Sequence, residues 1–291
     1  MFPLLLLGVV ATAILASCKN SPSESDDNLA RPVPFESASE PKETPVPSGL
    51  SPESNLEPCP PEMAAVDRFC IDRYEAHLLV EGELHPHNYR PPDGGNFEAT
   101  SSSGTYPQAY ISRTEAEAAC RRSMKRLCTL KEWLAACRGP SQSIFPYGNN
   151  YEKGRCNSGK PHLLTLLFKD KGPMTWTYDN HFNNPALNET PGYLAKTGEY
   201  AECVGLYGVF DMVGNLHEWV SDKVDRMLAG KLALIPSILA KLKVNYGHGI
   251  FMGGFYSTGA EHGYGCGFIT IGHEPEYHDY STGFRCCKEM R

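Results

Sequence analysis

Residues 205–219 read GLYGVFDMVGNLHEW, and this stretch determines how the rest of the 291-residue chain is interpreted. Gly214 permits a left-handed backbone and the close approach of another segment. Asp211 and Glu218 are seven residues apart and supply carboxylate oxygens, which together with backbone carbonyls are typical calcium ligands. The stretch ends in the apolar residue Trp219, which predicts that this end of the loop is anchored in a hydrophobic core. The alternative is a plain turn that leads into a buried tryptophan.

The first residues predict export. An apolar run at 3–16 is too short to span a bilayer comfortably, but it has the length of a signal-peptide core. The sequence up to Cys18 resembles a lipoprotein cleavage site, which predicts a signal peptide over 1–17 and a lipid on Cys18. A plain secretory signal with an incidental cysteine is the alternative. Lys19 is not the aspartate that signals inner-membrane retention, so we expect a lipoprotein at the outer membrane or periplasmic face of a Gram-negative bacterium.

The amino-acid composition divides the chain into a tether and a folded domain. Residues 18–58 are rich in Ser, Pro and Glu and cannot bury enough apolar surface to offset their ordering entropy, so we expect a disordered tether. Residues 59–291 are ample for a single domain with a sizeable core. The formal net charge of −7 provides no basic face, which argues against nucleic acid as a partner.

The cysteines also indicate an exported protein. Eleven are present, and Cys18 as an anchor leaves ten, an even number that is typical of a disulfide framework. Metal binding by thiolates is the competing interpretation, but no paired CxxC spacing supports zinc. Spacing alone does not determine the connectivity.

Two helices and two strands are predicted from local patterns. Capping boxes begin at Thr114 and at Thr129, each with a glutamate three residues later. Strand-like runs lie at 69–74 and 250–256. The predicted inward faces are Ala116, Ala119, Cys120 and Met124 in the first helix, and Leu130, Trp133, Leu134 and Cys137 in the second.

Four motifs in order resemble the signature of the formylglycine-generating enzyme family, also called the sulfatase-modifying factor family. They are the 205–219 stretch, KRLCTLKEWLAACRG at 125–139, FMGGF at 251–255 and GFRC at 283–286. Together they cover roughly residues 59–291 and are specific where each alone would be weak. The resemblance implies an α+β, C-type-lectin-like fold with low secondary-structure content, long loops and disulfide staples.

The resemblance supplies some of the disulfide pairs. It implies two bonds between the predicted helices and the C-terminal part of the domain. A third pair is predicted because its cysteines are close in sequence, and the last two are guesses. The pairs are Cys120–Cys286 and Cys137–Cys266 by resemblance, Cys59–Cys70 by proximity, and Cys156–Cys203 and Cys128–Cys287 as guesses.

The family's catalytic positions lack cysteine in this chain. The enzyme that names the family oxidises a sulfatase cysteine to formylglycine, with copper held by two cysteines. Thiolates are needed because they are soft ligands for Cu(I). The equivalent positions are Thr258 and Gly263, and the nearby Cys266 matches a structural cysteine. The resemblance therefore implies no bound copper, no catalytic residue and the loss of formylglycine synthesis.

Calcium is the metal that the resemblance favours. A first site would use the side chains of Asp211 and Glu218, and a second site is doubtful because its carboxylate partner would lie in a diverged stretch. A metal-free turn held by hydrogen bonds is the alternative for both. The predicted ligands are Asp211, Gly214, Leu216 and Glu218 for the first site, and Asn157 and Ser158 for the second.

A group of histidines and carboxylates near the C-terminus permits another metal hypothesis. Two histidines and a carboxylate can form a facial triad for iron. A polar surface loop is favoured over that triad, because histidines five residues apart on a loop define no geometry. His217 is interpreted as a packing residue. The residues concerned are His262, His273, His278, Glu274, Glu276 and Asp279.

Three functional hypotheses follow. The preferred one is a cell-envelope lipoprotein with a non-catalytic domain that acts in binding or envelope assembly. Its partners would be a membrane, through the lipid, and a protein, peptide or envelope component. The second is a metal-dependent oxidoreductase, using iron or copper, that acts on a peptide or envelope substrate. The third is a rigid, disulfide-stapled spacer in a larger complex.

Overall fold

The computed structural model describes residues 57–169, 175–228, 245–259 and 265–290. The predicted signal peptide, Cys18 and nearly all of the predicted tether lie outside these ranges. Gly263 and His262 lie outside them as well. Within the described ranges, no helix combines the length and the apolar character needed to cross a membrane.

Short strands and helices alternate with long connections, which confirms the predicted α+β class with low secondary-structure content. The strands predicted at 69–74 and 250–256 are present but end earlier. The strands are β1 Met63–Val66, β2 Phe69–Asp72, β3 His77–Val80, β4 Glu83–Leu84, β5 Phe97–Thr100, β6 Arg126–Leu127, β7 His217–Lys223, β8 Gly249–Met252, β9 Ile269–His273, β10 Thr282–Phe284 and β11 Cys286–Glu289, and the α-helices are α1 Arg113–Arg122, α2 Leu130–Arg138 and α3 Leu163–Leu167.

The described strands form three small sheets. The first has the order β1-β2-β11-β6 with antiparallel neighbours, so it joins the start of the domain to its end. The second has the order β10-β7-β8-β9, in which β10 and β7 are parallel and the other pairs antiparallel. The third, β4-β3-β5, is an antiparallel hairpin with one added strand. The parallel pair places the GFRC motif beside the GNLHEW motif.

Both predicted helices form, but the first begins earlier than predicted. Its N-cap is Ser112, whose capping box closes with Glu115, so the box predicted at Thr114 is wrong. Thr114 lies inside the first turn of the helix, and its Oγ1 donates to the Pro275 carbonyl at 3.4 Å instead of capping the helix. The second box, Thr129 with Glu132, is present as predicted.

The predicted inward faces are largely correct. Ala116, Ala119 and Cys120 are buried in α1, and Trp133 and Cys137 in α2. Leu130 and Leu134 are partly buried against the same core. The prediction failed at Met124, which is 82% exposed, because the backbone turns to φ 55° there, just beyond the end of α1.

Five disulfides staple the domain. They are the five pairs predicted by resemblance, by proximity and by guess. Every cysteine of the sequence except Cys18 is therefore bonded to another cysteine. The bonds are Cys59–Cys70, Cys120–Cys286, Cys128–Cys287, Cys137–Cys266 and Cys156–Cys203.

Candidate functional site

The GNLHEW loop is held against the segment that carries the second predicted calcium motif. Gly214 has φ +84°, and a Cβ added there would lie 2.1 Å from the carbonyl oxygen of Asn157. That oxygen accepts a hydrogen bond from the Asn215 N–H at 2.8 Å. Only glycine allows this approach, because both the backbone angle and the space exclude a side chain.

The Asn215 side chain connects three distant parts of the chain. Its Oδ1 accepts from Asn157 Nδ2 at 2.8 Å and from the Ala195 N–H at 3.0 Å. Its Nδ2 donates to the Glu75 carboxylate, whose other oxygen accepts from the Leu216 N–H at 3.0 Å. All the polar groups of this buried amide are used, so it fixes the loop rather than a ligand.

Glu218 forms a buried ion pair with Arg285. The guanidinium donates to both carboxylate oxygens at 2.7 Å, in a two-pronged geometry. The Trp133 indole N–H adds a third hydrogen bond to Glu218, at 2.8 Å. The side chains of Glu218 and Arg285 are 1% and 0% exposed. This ion pair joins the GNLHEW, KEW and GFRC motifs at one point.

The remaining donors of Arg285 all contact backbone carbonyls. Nη1 donates to the carbonyls of Asp72 and Arg73, at 3.1 and 3.4 Å, and Nη2 donates to Phe210 at 2.8 Å. With the two bonds to Glu218, this guanidinium uses its five donors. Arg285 therefore holds β2 and the 205–219 stretch together as well as neutralising Glu218.

Three buried carboxylates, those of Glu75, Asp211 and Glu218, surround the single guanidinium of Arg285. Burial raises the pKa of Asp211 to about 7, although the Gly198 N–H donates to its Oδ2 at 2.7 Å. Burial, with Asp211 and Glu218 nearby, raises the pKa of Glu75 well above its usual range. Three carboxylates thus share one guanidinium, and the excess negative charge is relieved by a proton or by a bound cation.

The first predicted calcium site fits only in part. Glu218 already accepts three hydrogen bonds, which leaves one acceptor position on its Oε1. Across the described ranges, no three His, Cys, Asp or Glu side chains are grouped to hold a metal ion. Calcium would therefore depend on Asp211 and the carbonyls of Gly214 and Leu216. The excess buried charge fits a cation, and calcium here stays a prediction.

The second predicted site has one feature that fits a ligand. Asn157 is 1% exposed, and its Nδ2 donates to the Tyr193 carbonyl at 2.9 Å as well as to Asn215. Its Oδ1 is buried and has no hydrogen-bond partner among the described residues. A buried unpaired amide oxygen is unusual and is the type of group that a cation or an ordered water satisfies. Calcium at Asn157 and Ser158 also stays a prediction.

The predicted catalytic position carries no thiol. Thr258 lies at the end of a turn after β8, where its Oγ1 accepts from the Phe255 N–H at 2.8 Å. Cys266 forms a disulfide with Cys137, as its match to a structural cysteine of the family predicts. Gly263, the other predicted position, lies outside the described residues. Since each cysteine between 59 and 287 is in a disulfide, the described domain offers no thiolate to copper.

Thr258 lines a cavity of about 540 Å³ instead. Phenylalanine, tyrosine and histidine rings form most of the wall, with serine and threonine hydroxyls between them. The volume is within the range of small-molecule sites. A smaller cavity of about 210 Å³ also borders Thr258 and is lined by Phe145, Tyr151, Val213 and Phe268.

The histidine cluster does not form a metal triad among the described residues. His273 stacks on Tyr277 with ring centroids 3.8 Å apart, whereas Nδ1 of His278 pairs with Asn183 Oδ1 at 2.8 Å. Glu276 accepts from Thr114 Oγ1 at 3.3 Å at the exposed surface. The hypothesis of a facial triad built from these residues is therefore wrong for the described part of the cluster, because the side chains have separate partners.

His217 packs among aromatic rings, in agreement with the role predicted from the sequence. Its ring centroid lies 4.6, 5.0 and 5.2 Å from those of Phe251, Phe255 and Phe268. Three buried residues were missed by sequence reasoning: Glu75, Trp133 as a donor and Arg285 as the partner of Glu218. Trp133 and Arg285 had a usable signal, because they lie in the motifs at 125–139 and 283–286, whereas Glu75 lies in none of the four motifs.

Comparison with known proteins identifies related sequences. The model of the sulfatase-modifying factor enzyme 1-like domain matches residues 60–290. The formylglycine-generating enzyme of Mus musculus is 30% identical over 136 residues, which are 46% of this chain and 32% of that protein. The inactive C-alpha-formylglycine-generating enzyme 2 of Bos taurus is 28% identical over 120 residues, 40% of this chain and 33% of that protein. The chain thus spans about a third of the length of these relatives.

Two solved structures align with this chain at low identity. PvdO from Pseudomonas aeruginosa is 15% identical and aligns with a TM-score of 0.43 over 76% of this chain and 80% of that one. The P3c variant of the major tropism determinant is 14% identical, with a TM-score of 0.45 over 81% of this chain and 55% of that one.

Proposed function

This chain belongs to the sulfatase-modifying factor enzyme 1-like family, and we propose that its domain binds a ligand instead of oxidising cysteine. The observation that carries the proposal is the state of the cysteines. All ten between 59 and 287 are in disulfides, so the two thiols that the resemblance requires for copper are absent. A hydroxyl at Thr258 is a hard ligand and cannot exchange with a substrate thiol.

The cavity that Thr258 lines also supports a binding function. The cavity at Thr258 has a volume suited to a small molecule or a side chain. Part of its wall comes from β8, β9 and the turn before β10, and β8 and β10 both pair with β7, the strand that carries Glu218. Among the relatives, one is named as inactive, which is in keeping with a non-catalytic domain in this family.

The proposal extends to where the protein acts. Five disulfides are typical of proteins that fold in oxidising compartments. Together with the predicted lipidation of Cys18, they favour a lipoprotein exposed at the cell envelope. We propose that a protein, peptide or envelope component presents the ligand to the cavity.

A peptide-oxidation assay tests the proposal. The full chain, purified with its disulfides intact, is mixed aerobically with Cu(I) and a cysteine-containing sulfatase peptide, and aldehyde is measured by mass spectrometry. We expect no aldehyde above the protein-free control, because no thiolate is available. The formylglycine-generating enzyme of Mus musculus, assayed in parallel, confirms that the conditions support the reaction. Aldehyde formed in repeated turnovers by this chain would refute the proposal.

A further inference from the structure

The cavity at Thr258 has a continuous aromatic wall. His273 stacks on Phe251, with ring centroids 5.5 Å apart, as well as on Tyr277. Phe255 lies 5.8 Å from Tyr280 and edge-on to it. Such faces attract organic cations, because the ring quadrupole is negative above and below the plane.

Asp279 contributes the carboxylate of the wall. Its Oδ1 accepts from the Ser281 N–H at 2.8 Å and from Ser281 Oγ at 2.7 Å. Its Oδ2 accepts from Tyr277 Oη at 2.5 Å. These three neutral donors leave one acceptor position on Oδ2. In the described parts of the chain, Asp279 has no salt-bridge partner, and it is 4% exposed.

The basic side chains of the described lining are three histidines, His162, His217 and His273. The lining contains no lysine or arginine. Burial lowers the pKa of His162 and of His273, so both rings are mainly neutral at pH 7. The cavity therefore combines aromatic faces with an unmatched buried carboxylate, the combination that would bind a cation.

We propose that this cavity binds a protonated alkylamine, with the ammonium group at Asp279 and the carbon skeleton against the rings of Phe251, Phe255 and Tyr277. The inference rests on the proposed binding function and names its ligand class. An anion would be repelled by Asp279, and a neutral ligand would leave the carboxylate without a counter-charge. The amine comes either from a free small molecule or from a lysine side chain, since both present the same group.

Calorimetric titration of the full chain tests the inference at pH 7. The probes for a free amine are 2-phenylethylamine and its neutral analogue 2-phenylethanol. The probes for a side chain are N-acetyl-lysine methylamide and N-acetyl-norleucine methylamide. We expect the cation of at least one pair to bind about tenfold or more tightly than its neutral analogue. The pair that shows the preference identifies the source.

Three variants locate the binding. Asp279→Asn should reduce the affinity for the cation to that for the neutral analogue. Thr270→Trp, on the cavity wall in β9, should block both probes without altering the carboxylate. Asp93→Asn removes a carboxylate whose side chain is 87% exposed, outside the cavity lining, and should change nothing. If Asp279→Asn does not fold, the wild-type preference and its loss in Thr270→Trp still decide the question.

Two results would overturn the inference. One is equal affinity for cation and neutral analogue, or no binding of either. The other is a cation preference that Thr270→Trp or a folded Asp279→Asn retains. Neither result bears on peptide oxidation, so the non-catalytic assignment would stand. Aldehyde formation would instead remove the proposed function, whatever the cavity binds.

Discussion

Replacing Arg285 by methionine should lower the free energy of unfolding by about 3–5 kcal/mol, because removing one partner of a buried ion pair leaves the other charge uncompensated. Glu218 would then lie buried beside Asp211 and Glu75 with no guanidinium to neutralise it. Three backbone carbonyls would also lose their donor. Chemical denaturation of the two proteins at pH 7, with the disulfides intact, measures the difference.

The matched control is Arg90→Met. Arg90 donates to Glu115 at 2.7 Å, but its side chain is 46% exposed. An exposed pair of this kind contributes about 0–1 kcal/mol. A double-mutant cycle with Glu218→Gln separates the ion pair from the loss of packing, and we expect a coupling of about 1–3 kcal/mol. An Arg285→Met variant as stable as Arg90→Met would show that the pair does not hold the site.

Gly214→Ala should cost roughly 2–5 kcal/mol, the sum of two effects. Alanine at φ +84° costs about 1–2 kcal/mol in backbone strain. Its Cβ would also lie 2.1 Å from the Asn157 carbonyl oxygen, and forcing these segments apart costs a further 1–3 kcal/mol or so. The movement would also break the hydrogen bonds between Asn215 and Asn157.

Gly82→Ala is the control for this substitution. Gly82 has φ +86°, nearly the same angle, but a Cβ there would meet nothing within 4 Å. We expect Gly82→Ala to lower the free energy of unfolding by about 1 kcal/mol. This is the backbone strain of alanine at positive φ minus the stabilisation that comes from a less flexible unfolded chain. Denaturation of both variants under the same conditions gives the contact term by difference. Equal destabilisation would mean that the close approach at Gly214 has no energetic consequence.

Much of the fold could be predicted because its signals are local or shared with a family. The capping box at Thr129 is a local signal that spans four residues, and the GNLHEW stretch predicts a loop fixed by glycine. At α1 two capping patterns overlap, one from Ser112 and one from Thr114. In the structure Ser112 and Glu115 form the box, whereas the Thr114 hydroxyl donates to the carbonyl of Pro275, 161 residues away, a contact that the local sequence does not reveal.

The interior of the site could not be read from the sequence. Glu218 and Arg285 are 67 residues apart, and Glu75 lies 140 residues before Asn215. No rule of sequence spacing connects residues that are so far apart along the chain. The sequence therefore presents Glu218 as a free carboxylate suited to calcium, although its oxygens accept from Arg285 and Trp133. The aromatic cavity was missed for the same reason, because its wall is assembled from residues between 162 and 281.

The measurement that tests the central claim most directly is the copper and iron content of the full chain after exposure to Cu(I) and, separately, to Fe(II). The protein is purified with its disulfides intact, as wild type and as Cys18→Ser, which removes the one cysteine outside the disulfides. Mass spectrometry after desalting counts the metal. The disulfide-bonded domain is expected to retain far less than one equivalent of either. One equivalent of copper or iron in Cys18→Ser would contradict a non-catalytic binding domain.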